Sequence, residues 1–419
     1  MQTKERALLI STLRVVLVCL ATGHCSSINM ANAFRFSANT SLSTTIRHAI
    51  LPKRAYGKCF DDRFVQKRFR SISSSTSLQS SSLKNGDSGE HKRPSIAIVG
   101  SGAVGGYYGA RLWESGKYDV KFQMRGENYK VSTRDGFRVD SIDGDMFIPP
   151  TQLNAFRNPE DVGPVDWVIV SIKSSSLGDI PDLINPLIDS KRTRILTIMN
   201  GLIEEDLIRL FKDCVGQEFC AALYGGMALV CSNRKAPGHI EHSFAGLLSG
   251  GIATSHENLT DHVNQQAFRD LWEPTSIDIA YERSLLGGRW RKCLWNLPFN
   301  GISVAMNGIT VDKIVNDPGL RRLAHNIMDE TVAAANADLA AHGLGEEFYL
   351  NDEDKKKMMD LSDNMGAYRT STMIDFVEGR PLEVHYLFTK PVERAQSLGV
   401  HVPYLETLVT QIEALERLR

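Results

Sequence analysis

Residues 95–112 read Ser-Ile-Ala-Ile-Val-Gly-Ser-Gly-Ala-Val-Gly-Gly-Tyr-Tyr-Gly-Ala-Arg-Leu, and this stretch decides the fold. It opens with a short β-branched apolar run, which predicts a strand buried on both faces, and it closes with a predicted helix. The glycines between them match a dinucleotide-binding turn: Gly100 permits the tight bend, Gly102 lets the backbone approach a pyrophosphate, and Gly105 lets helix and strand pack closely. The alternative is a glycine-rich turn without a ligand, but the position of the glycines between a strand and a helix favours dinucleotide binding. The predicted cofactor loop comprises Gly100, Ser101, Gly102, Ala103, Val104 and Gly105.

The second predicted strand, residues 118–124, bears on the choice of cofactor. NAD-preferring sites place Asp or Glu at the end of this strand to hold the ribose hydroxyls. Here the strand ends Gln123-Met124 and Arg125 follows, so a guanidinium stands within reach of a 2′-phosphate. The sequence therefore favours NADP(H), and the alternative reading of Arg125 is a solvated turn residue.

Two further apolar runs, residues 165–172 and 194–199, are predicted strands of the same α/β unit. The first leads into Lys173 and the second into Asn200. Open α/β sheets bind ligands at the carboxyl ends of their strands, so both polar residues are candidate ligand contacts. We expect the later apolar segments to join as antiparallel additions: residues 219–230, 239–250 and 276–280.

Histidine and cysteine spacing argues against a metal centre. His239 and His242 are three apart in a predicted strand, so their side chains would point to opposite faces. Residues 94–419 contain four scattered cysteines, with no Cys-x-x-Cys pair and no Cys/His cluster at metal spacing. We therefore expect no metal site, and thiols suited to a reducing compartment.

From about residue 281 the pattern becomes helical. Lys292, Asn296 and Asn300 recur every four positions, which places them along one face of a helix. Pro298 removes one backbone hydrogen bond from that helix and is expected to disturb it. An amide-rich stripe beside large aromatic residues favours the wall of a cleft, although Lys292 taken alone could equally be a surface lysine with a buried stem.

Taken together, these segments resemble the ketopantoate reductase family. The resemblance covers about residues 94–419 and rests on the glycine loop with Arg125, Lys173, the Asn200-Gly201 pair and two longer runs. Those runs are Trp290-Arg-Lys292-x-x-x-Asn296-x-x-x-Asn300 and Thr370-Ser371-Thr-Met-x-Asp375, the latter followed by Gly379-Arg-Pro-x-Glu383.

The fold implied by this resemblance has two parts. A doubly wound α/β domain of Rossmann type would bind NADP within residues 94–283. An all-α domain, similar to the C-terminal domain of 6-phosphogluconate dehydrogenase, would follow within residues 284–419 and carry substrate-binding and catalytic residues. The active site would lie in the cleft between the two.

The resemblance also implies roles for individual residues. Lys292 would be the general acid that protonates the ketone oxygen, while Glu383 would hold the substrate hydroxyl and help to position Lys292. Asn200 would lie between nicotinamide and substrate, and Lys173 would lie near the cofactor. The implied substrate-binding residues are Asn200, Asn296, Asn300, Ser371 and Glu383.

The implied reaction is the NADPH-dependent reduction of 2-dehydropantoate (ketopantoate) to (R)-pantoate, a step of pantothenate and coenzyme A synthesis. Such a reduction needs a hydride from the cofactor and a proton for the emerging alkoxide. A lysine with an ordinary pKa of about 10.4 is protonated near neutral pH and can donate directly. Burial would lower the pKa of Lys292 and a nearby Glu383 carboxylate would raise it, so the sequence leaves the direction open.

Three departures from the family pattern bear on the substrate. Thr310 stands where the family usually has asparagine, His385 replaces the aspartate of a Glu-Ile-Asp run, and residues 339–360 are longer and more charged than usual. One alternative is therefore a reductase of another branched 2-oxo acid. A second, of a different class, is a non-catalytic NADP-sensing module, against which the presence of both Lys292 and Glu383 argues.

Charge separates a basic leader from an acidic body in the 419-residue chain: residues 1–93 hold 15 Lys and Arg against 5 Asp and Glu, and residues 94–419 hold 33 against 44. The acidic body argues against nucleic-acid binding. The leader joins an apolar stretch to a basic, Ser-rich tract beginning at Phe34, an order that resembles the bipartite presequences of algae with secondary plastids. We expect a plastid protein, with the mitochondrion as the alternative, no membrane association in the mature form, and a homodimer as a candidate assembly.

Overall fold

The structure is a computed structural model that describes residues 93–419. The presequence predicted for residues 1–93 therefore lies outside the described residues, apart from Arg93. Within the described part of the chain, no helix combines the length and the apolar character needed to cross a membrane.

A single mixed sheet forms the first half of the described chain. Five parallel pairings join strands in the order β5-β2-β1-β6-β7-β8. Beyond β8 the sheet continues with β9, β3 and β4, and both β3 and β10 pair parallel with β9. The strands are β1 Ser95–Val99, β2 Asp119–Gln123, β3 Phe137–Ser141, β4 Met146–Ile148, β5 Asn154–Phe156, β6 Trp167–Val170, β7 Arg194–Ile198, β8 Ala222–Ala236, β9 His239–Ser255 and β10 Ile279–Tyr281.

Helices cover both faces of this sheet. One buried core packs α1 and α5 against one face through Tyr108 and Trp272, and a second core packs α3 and α4 against the other through Ile180 and Phe211. Burial on both faces explains the apolar, β-branched sequence of β1. The helices of this half are α1 Ala103–Glu114, α2 Gly126–Asp135, α3 Ile180–Ile184, α4 Glu204–Cys214 and α5 Asp261–Trp272.

The expectation of antiparallel additions is wrong for the segment at 276–280, and it is only partly right for the segment at 219–230, which pairs antiparallel with β9 but parallel with β7. The segment predicted at 219–230 forms β8, which pairs parallel with β7, because α4 carries the chain back between them. The segment at 276–280 contributes to β10, which pairs parallel with β9. Only the β8–β9 pair is antiparallel among these, since its strands are joined by the short turn Pro237-Gly238, where Gly238 has a φ of 73°.

The second half of the described chain is helical and is built around α6. This helix is almost entirely buried from Trp290 to Val304, and the indole of Trp290 donates a 2.8 Å hydrogen bond to the buried carboxylate of Asp338. The helices are α6 Leu285–Ala305, α7 Val311–Asn316, α8 Pro318–Ala341, α9 Asp352–Asp363, α10 Ser371–Val377, α11 Lys390–Ser397 and α12 Pro403–Leu418, with one π-turn at His385–Thr389.

Pro298 lies inside α6 but does not end it. A proline in a helix interior costs about 3 kcal/mol through the lost hydrogen bond and the crowded carbonyl. Here the neighbouring residues are buried on all sides, so tertiary packing outweighs that local cost. The helix therefore keeps Lys292 and Asn300, which lie on either side of Pro298, on one continuous element.

Candidate active site

The glycine loop joins β1 to α1 in the geometry that a dinucleotide requires. Gly100 has a φ of 89°, in the left-handed region that favours glycine. A Cβ on Gly105 would lie 3.0 Å from the Cβ of Ser171, so the helix could not approach the sheet as closely with a larger residue. Around Gly102 the packing is looser: a Cβ there would make only ordinary van der Waals contacts, with a guanidinium nitrogen of Arg234 at 3.7 Å and a carbonyl oxygen at 4.0 Å.

The start of α1 is prepared for an anion. Gly102 is its N-cap, no side chain caps the helix, and no acidic residue occupies the first turn. The first backbone N–H groups of the helix and the positive end of its dipole are therefore not neutralised by a side chain of the helix start. The residues present fit the pyrophosphate of a nicotinamide dinucleotide.

Arg125 lies where β2 passes into α2. It is the N-cap of α2 and is exposed, whereas Gln123 and Met124 before it are buried. Within residues 93–419 its guanidinium makes no hydrogen bond or ion pair. The geometry fits either interpretation given above, a 2′-phosphate contact or a solvated turn residue.

The end of β6 is tied to the helical half by side chains. Lys173 donates hydrogen bonds from its ammonium to Asp375 Oδ2 at 2.8 Å and to Pro381 O at 2.9 Å. The next residue, Ser174, donates from its backbone N–H and its hydroxyl to Glu383 Oε1, at 2.7 and 3.0 Å. Lys173 and Glu383, predicted from separate motifs, therefore lie close together where β6 meets the helical half, and Asp375 joins them as a residue for which the sequence predicted no role.

Lys292 projects from α6 toward the sheet. Its Nζ donates a 3.0 Å hydrogen bond to the carbonyl oxygen of Ala228 in β8, and it lies 6.0 Å from the ring centroid of Trp295. Burial lowers the pKa of Lys292 from its ordinary value to about 8. In the described part of the chain no hydrogen bond or ion pair joins Lys292 to Glu383, whose carboxylate is bound by Ser174 instead. Burial therefore decides the direction that the sequence left open, and a positioning role for Glu383 stays a prediction.

The amide stripe continues along α6 below Lys292. Asn296 and Asn300 are only 3% and 1% exposed, and Asn300 Nδ2 donates to Asn296 Oδ1 at 3.1 Å. Asn300 Oδ1 accepts a 3.2 Å hydrogen bond from the backbone N–H of Thr372 in α10. The neighbouring Ser371 begins α10 and is exposed. The stripe is thus anchored to the helix that carries Ser371, as a shared substrate pocket would require.

Asn200 follows β7 at the junction of the two halves. Its neighbour Gly201 has a φ of 88°, and a Cβ there would lie 2.9 Å from the Cβ of Tyr386. The backbone N–H of Leu202 donates to Tyr386 O at 3.2 Å. Glycine is required because the helical half approaches the backbone closely, and this approach places Asn200 where the sheet meets the helical half.

A buried ion pair fixes the same junction, and no local sequence pattern indicated it. Arg289, one turn before Lys292 on α6, is 2% exposed and forms a forked pair with Glu204, the first residue of α4. Its guanidinium also donates to Met199 O and, at 3.2 Å, to Gly226 O. Arg289 therefore joins α6 to the carboxyl end of β7, next to Asn200, and to the first part of β8.

The remaining predicted or divergent positions make other contacts. His239 pairs with Asp140 and His242 with Ser141, each at 2.8 Å, and the described residues hold no group of three His, Cys, Asp or Glu side chains that could bind a metal ion. Thr310 is the N-cap of α7 and bonds to Asp312. His385 is exposed at the start of the π-turn.

Comparisons with known proteins agree with this architecture. Residues 96–253 match the family model described as ketopantoate reductase PanE/ApbA, and residues 284–416 match the model for its C-terminal part. A 2-dehydropantoate 2-reductase of Nostoc sp. is 34% identical over 324 residues, which cover 76% of this chain and 94% of the relative. One from Mesorhizobium japonicum is 26% identical over 336 residues, which cover 76% and 97%.

Solved structures show the same fold. The crystal structure of 2-dehydropantoate 2-reductase from Geobacter metallireducens is 35% identical, with a TM-score of 0.68, and covers 76% of this chain and 99% of its own. D-mandelate dehydrogenase in complex with NADH and anilino(oxo)acetate is 20% identical, with a TM-score of 0.65, and covers 77% and 98%. These likenesses confirm the predicted fold class, a doubly wound sheet followed by an all-α part.

Proposed function

Because the chain belongs to the ketopantoate reductase family of oxidoreductases, we propose that it reduces 2-dehydropantoate to (R)-pantoate with NADPH, in pantothenate and coenzyme A synthesis. The buried ammonium of Lys292 carries this proposal. It lies on the helix face that also holds Asn296 and Asn300, and it contacts the sheet through the carbonyl oxygen of Ala228 in β8.

The chemistry divides between cofactor and side chains. When bound, NADPH supplies the hydride that adds to the ketone carbon. Lys292 donates a proton from its Nζ to the ketone oxygen, so that ketone, hydride and proton together give the alcohol and NADP⁺ leaves. The positive charge of Lys292 also stabilises the negative charge that develops on the oxygen.

The other residues of the cleft bind and orient the substrate. The amides of Asn296 and Asn300 and the hydroxyl of Ser371 would contact its polar groups, and Glu383 would accept a hydrogen bond from its hydroxyl. Asn200 would lie between substrate and nicotinamide, and Lys173 would lie beside the cofactor. The close hydrogen bonds of Ser174 to Glu383 hold that carboxylate at the cleft edge, in support of this role.

The activity depends on pH through Lys292. Its pKa of about 8 means that the ammonium is mostly protonated at pH 7 and loses its proton as the pH rises through 8. Since the acid must be protonated to act, we expect kcat to be level at neutral pH and to fall above about pH 8. A pH profile of kcat measures this directly. A kcat that stays level to pH 10 would contradict the assignment of Lys292 as the acid.

The choice of NADPH rests on Arg125 and on the absence of an acid at the end of β2. Arg125→Ala is expected to weaken NADPH binding about tenfold or more, since it removes a charged hydrogen-bonding partner of the 2′-phosphate, and to leave NADH binding nearly unchanged. Fluorescence titration with each nucleotide measures both constants. Lys130→Ala is the control, because Lys130 is an exposed cation of the same helix paired with Glu127. Equal losses for both nucleotides in Arg125→Ala would show that the cofactor assignment is wrong.

A panel of 2-oxo acids separates the proposed substrate from its alternatives. The proposal predicts the highest kcat/KM with ketopantoate and NADPH, read by the loss of nicotinamide absorbance. Higher kcat/KM with another branched 2-oxo acid would establish the first alternative. Binding of NADPH without turnover of any acid would favour the sensing module.

We also propose that residues 1–93 direct the protein to a plastid, on the charge pattern and the position of Phe34. Fusion of these residues to a fluorescent protein tests the compartment, with the mitochondrion as the other destination. A homodimer remains the candidate assembly. A ketopantoate reductase from Staphylococcus aureus that shares the fold is described as dimeric.

A further inference from the structure

The tip of the β8–β9 hairpin lies against the glycine loop. Ser232 in β8 donates from its hydroxyl to Ala103 O at 2.8 Å. Asn128 of α2 joins the two elements from the side: its Nδ2 donates to Ser101 O at 3.3 Å, and its Oδ1 accepts from the backbone N–H of Gly238 at 2.8 Å. The hairpin tip and the loop are thus held together by contacts on both sides.

Arg234 lies on the face of the hairpin that is directed at this loop. It follows Ser232 by two residues, and alternate residues of a strand share a face. One nitrogen of its guanidinium lies 3.7 Å from the position that a Cβ on Gly102 would occupy. Within residues 93–419 the guanidinium has no hydrogen bond and no ion pair, and the residue is exposed. In the described residues, a cation that has no hydrogen-bond or ion-pair partner therefore lies beside Gly102, at the start of α1.

We infer that Arg234 is a cofactor-binding residue that pairs with the pyrophosphate of the dinucleotide above Gly102. This inference rests on the proposed function only for the identity of the ligand as a nicotinamide dinucleotide. The second glycine of such loops is the point at which the pyrophosphate comes closest to the backbone. A guanidinium there can donate two parallel hydrogen bonds to phosphate oxygens, opposite the N–H groups of the helix start.

The position of Arg234 distinguishes it from Arg125. Arg125 follows β2, where the ribose of the adenosine half is held and a 2′-phosphate would lie. Arg234 borders Gly102, and both NADPH and NADH carry the pyrophosphate that approaches this residue. Replacement of Arg234 should therefore weaken the binding of both nucleotides by the same factor, whereas replacement of Arg125 should weaken the binding of NADPH selectively.

Lys235 provides a matched control on the same hairpin. It is the next residue along β8, it is half exposed, and its ammonium lies 3.4 Å from Glu241 and 3.7 Å from Asp140. Its charge is therefore committed to neighbouring carboxylates rather than to the glycine loop. Replacement of Lys235 removes the same charge from the same exposed strand without removing the contact proposed for Arg234.

The test is a fluorescence titration of the full chain with NADPH and with NADH, for the wild type, Arg234→Gln and Lys235→Gln. For Arg234→Gln we expect both dissociation constants to rise about tenfold or more, as for other hydrogen bonds to charged groups. Lys235→Gln should change each by less than about twofold. Thermal unfolding of both variants should match the wild type, because both side chains are exposed.

Several outcomes would overturn the inference. An unchanged dissociation constant in Arg234→Gln would exclude the contact, and a loss confined to NADPH would assign Arg234 to the 2′-phosphate instead. Failure of the proposed function is distinguishable, because binding is measured without substrate: a protein that shows the Arg234 effect but reduces no ketopantoate would retain the binding site and lose only the proposed reaction.

Discussion

Replacing Lys292 with alanine is expected to lower kcat for ketopantoate reduction at least about a hundredfold, the lower end of general-acid contributions. The reason is that the buried ammonium is the one donor on the amide-bearing face of α6 that can release a proton at neutral pH, given its pKa of about 8. NADPH binding should persist, because the glycine loop and Arg125 lie on the sheet. Steady-state kinetics and a nucleotide titration measure the two quantities.

Lys292→Arg is the matched variant for this prediction. Arginine keeps the positive charge, but the pKa of its guanidinium is too high for it to release a proton near neutral pH, so a general-acid role predicts a large loss of kcat here too. Recovery of most activity in Lys292→Arg would show that charge alone is required. Near-normal turnover in Lys292→Ala would remove Lys292 from the mechanism.

The loss of activity should not come from loss of folding. The pKa of Lys292 is about 8 in the folded protein and about 10.4 in an unfolded chain, so between these values the unfolded state binds more protons. The contribution of Lys292 to the free energy of unfolding therefore rises as the pH increases from 8 to 10. At neutral pH the buried charge opposes folding. Lys292→Met should unfold at the same or a higher denaturant concentration than the wild type.

Arg289→Met is expected to destabilise the fold by about 3–5 kcal/mol, the cost of leaving one partner of a buried ion pair without the other. Glu204 would remain largely buried, with its side chain 14% exposed, and the carbonyls of Met199 and Gly226 would lose their donor. Urea unfolding followed by circular dichroism measures the change. The double variant Arg289→Met, Glu204→Met should recover part of the loss, since it leaves no unpaired charge.

The exposed pair Arg321–Asp363 supplies the comparison. Its two side chains are 36% and 39% exposed, so Arg321→Met should cost less than about 1 kcal/mol. If Arg289→Met were no more destabilising than Arg321→Met, the ion pair at the junction of sheet and helices would have no special structural role.

Local sequence was sufficient to predict the strands and helices that are determined by short-range patterns. The β-branched run and glycines of residues 95–112 became β1, the loop and α1, and the four-residue spacing placed Lys292, Asn296 and Asn300 on one helix. Periodicity and glycine placement reflect the geometry of a single strand or helix. They can be read without knowledge of what packs against it.

The features that the sequence missed depend on partners distant along the chain. The path of α4 determines that β8 pairs parallel with β7. From sequence alone, Arg289 and Arg234 could both be solvated surface cations, and only the fold places Arg289 beside Glu204 and Arg234 beside Gly102. The pKa of Lys292 likewise depends on burial by the surrounding structure. Side-chain pairing across more than 50 residues leaves no periodic mark in the sequence.

Isotopic labelling shows whether the protein transfers a hydride from the nucleotide to the ketone carbon. The protein is incubated with ketopantoate and with NADPH deuterated at both C4 positions, and the product is examined by mass spectrometry and NMR. Direct hydride transfer should give (R)-pantoate with a single deuterium, bonded to C2. Pantoate without deuterium at C2, or no pantoate from a protein that binds NADPH, would contradict it.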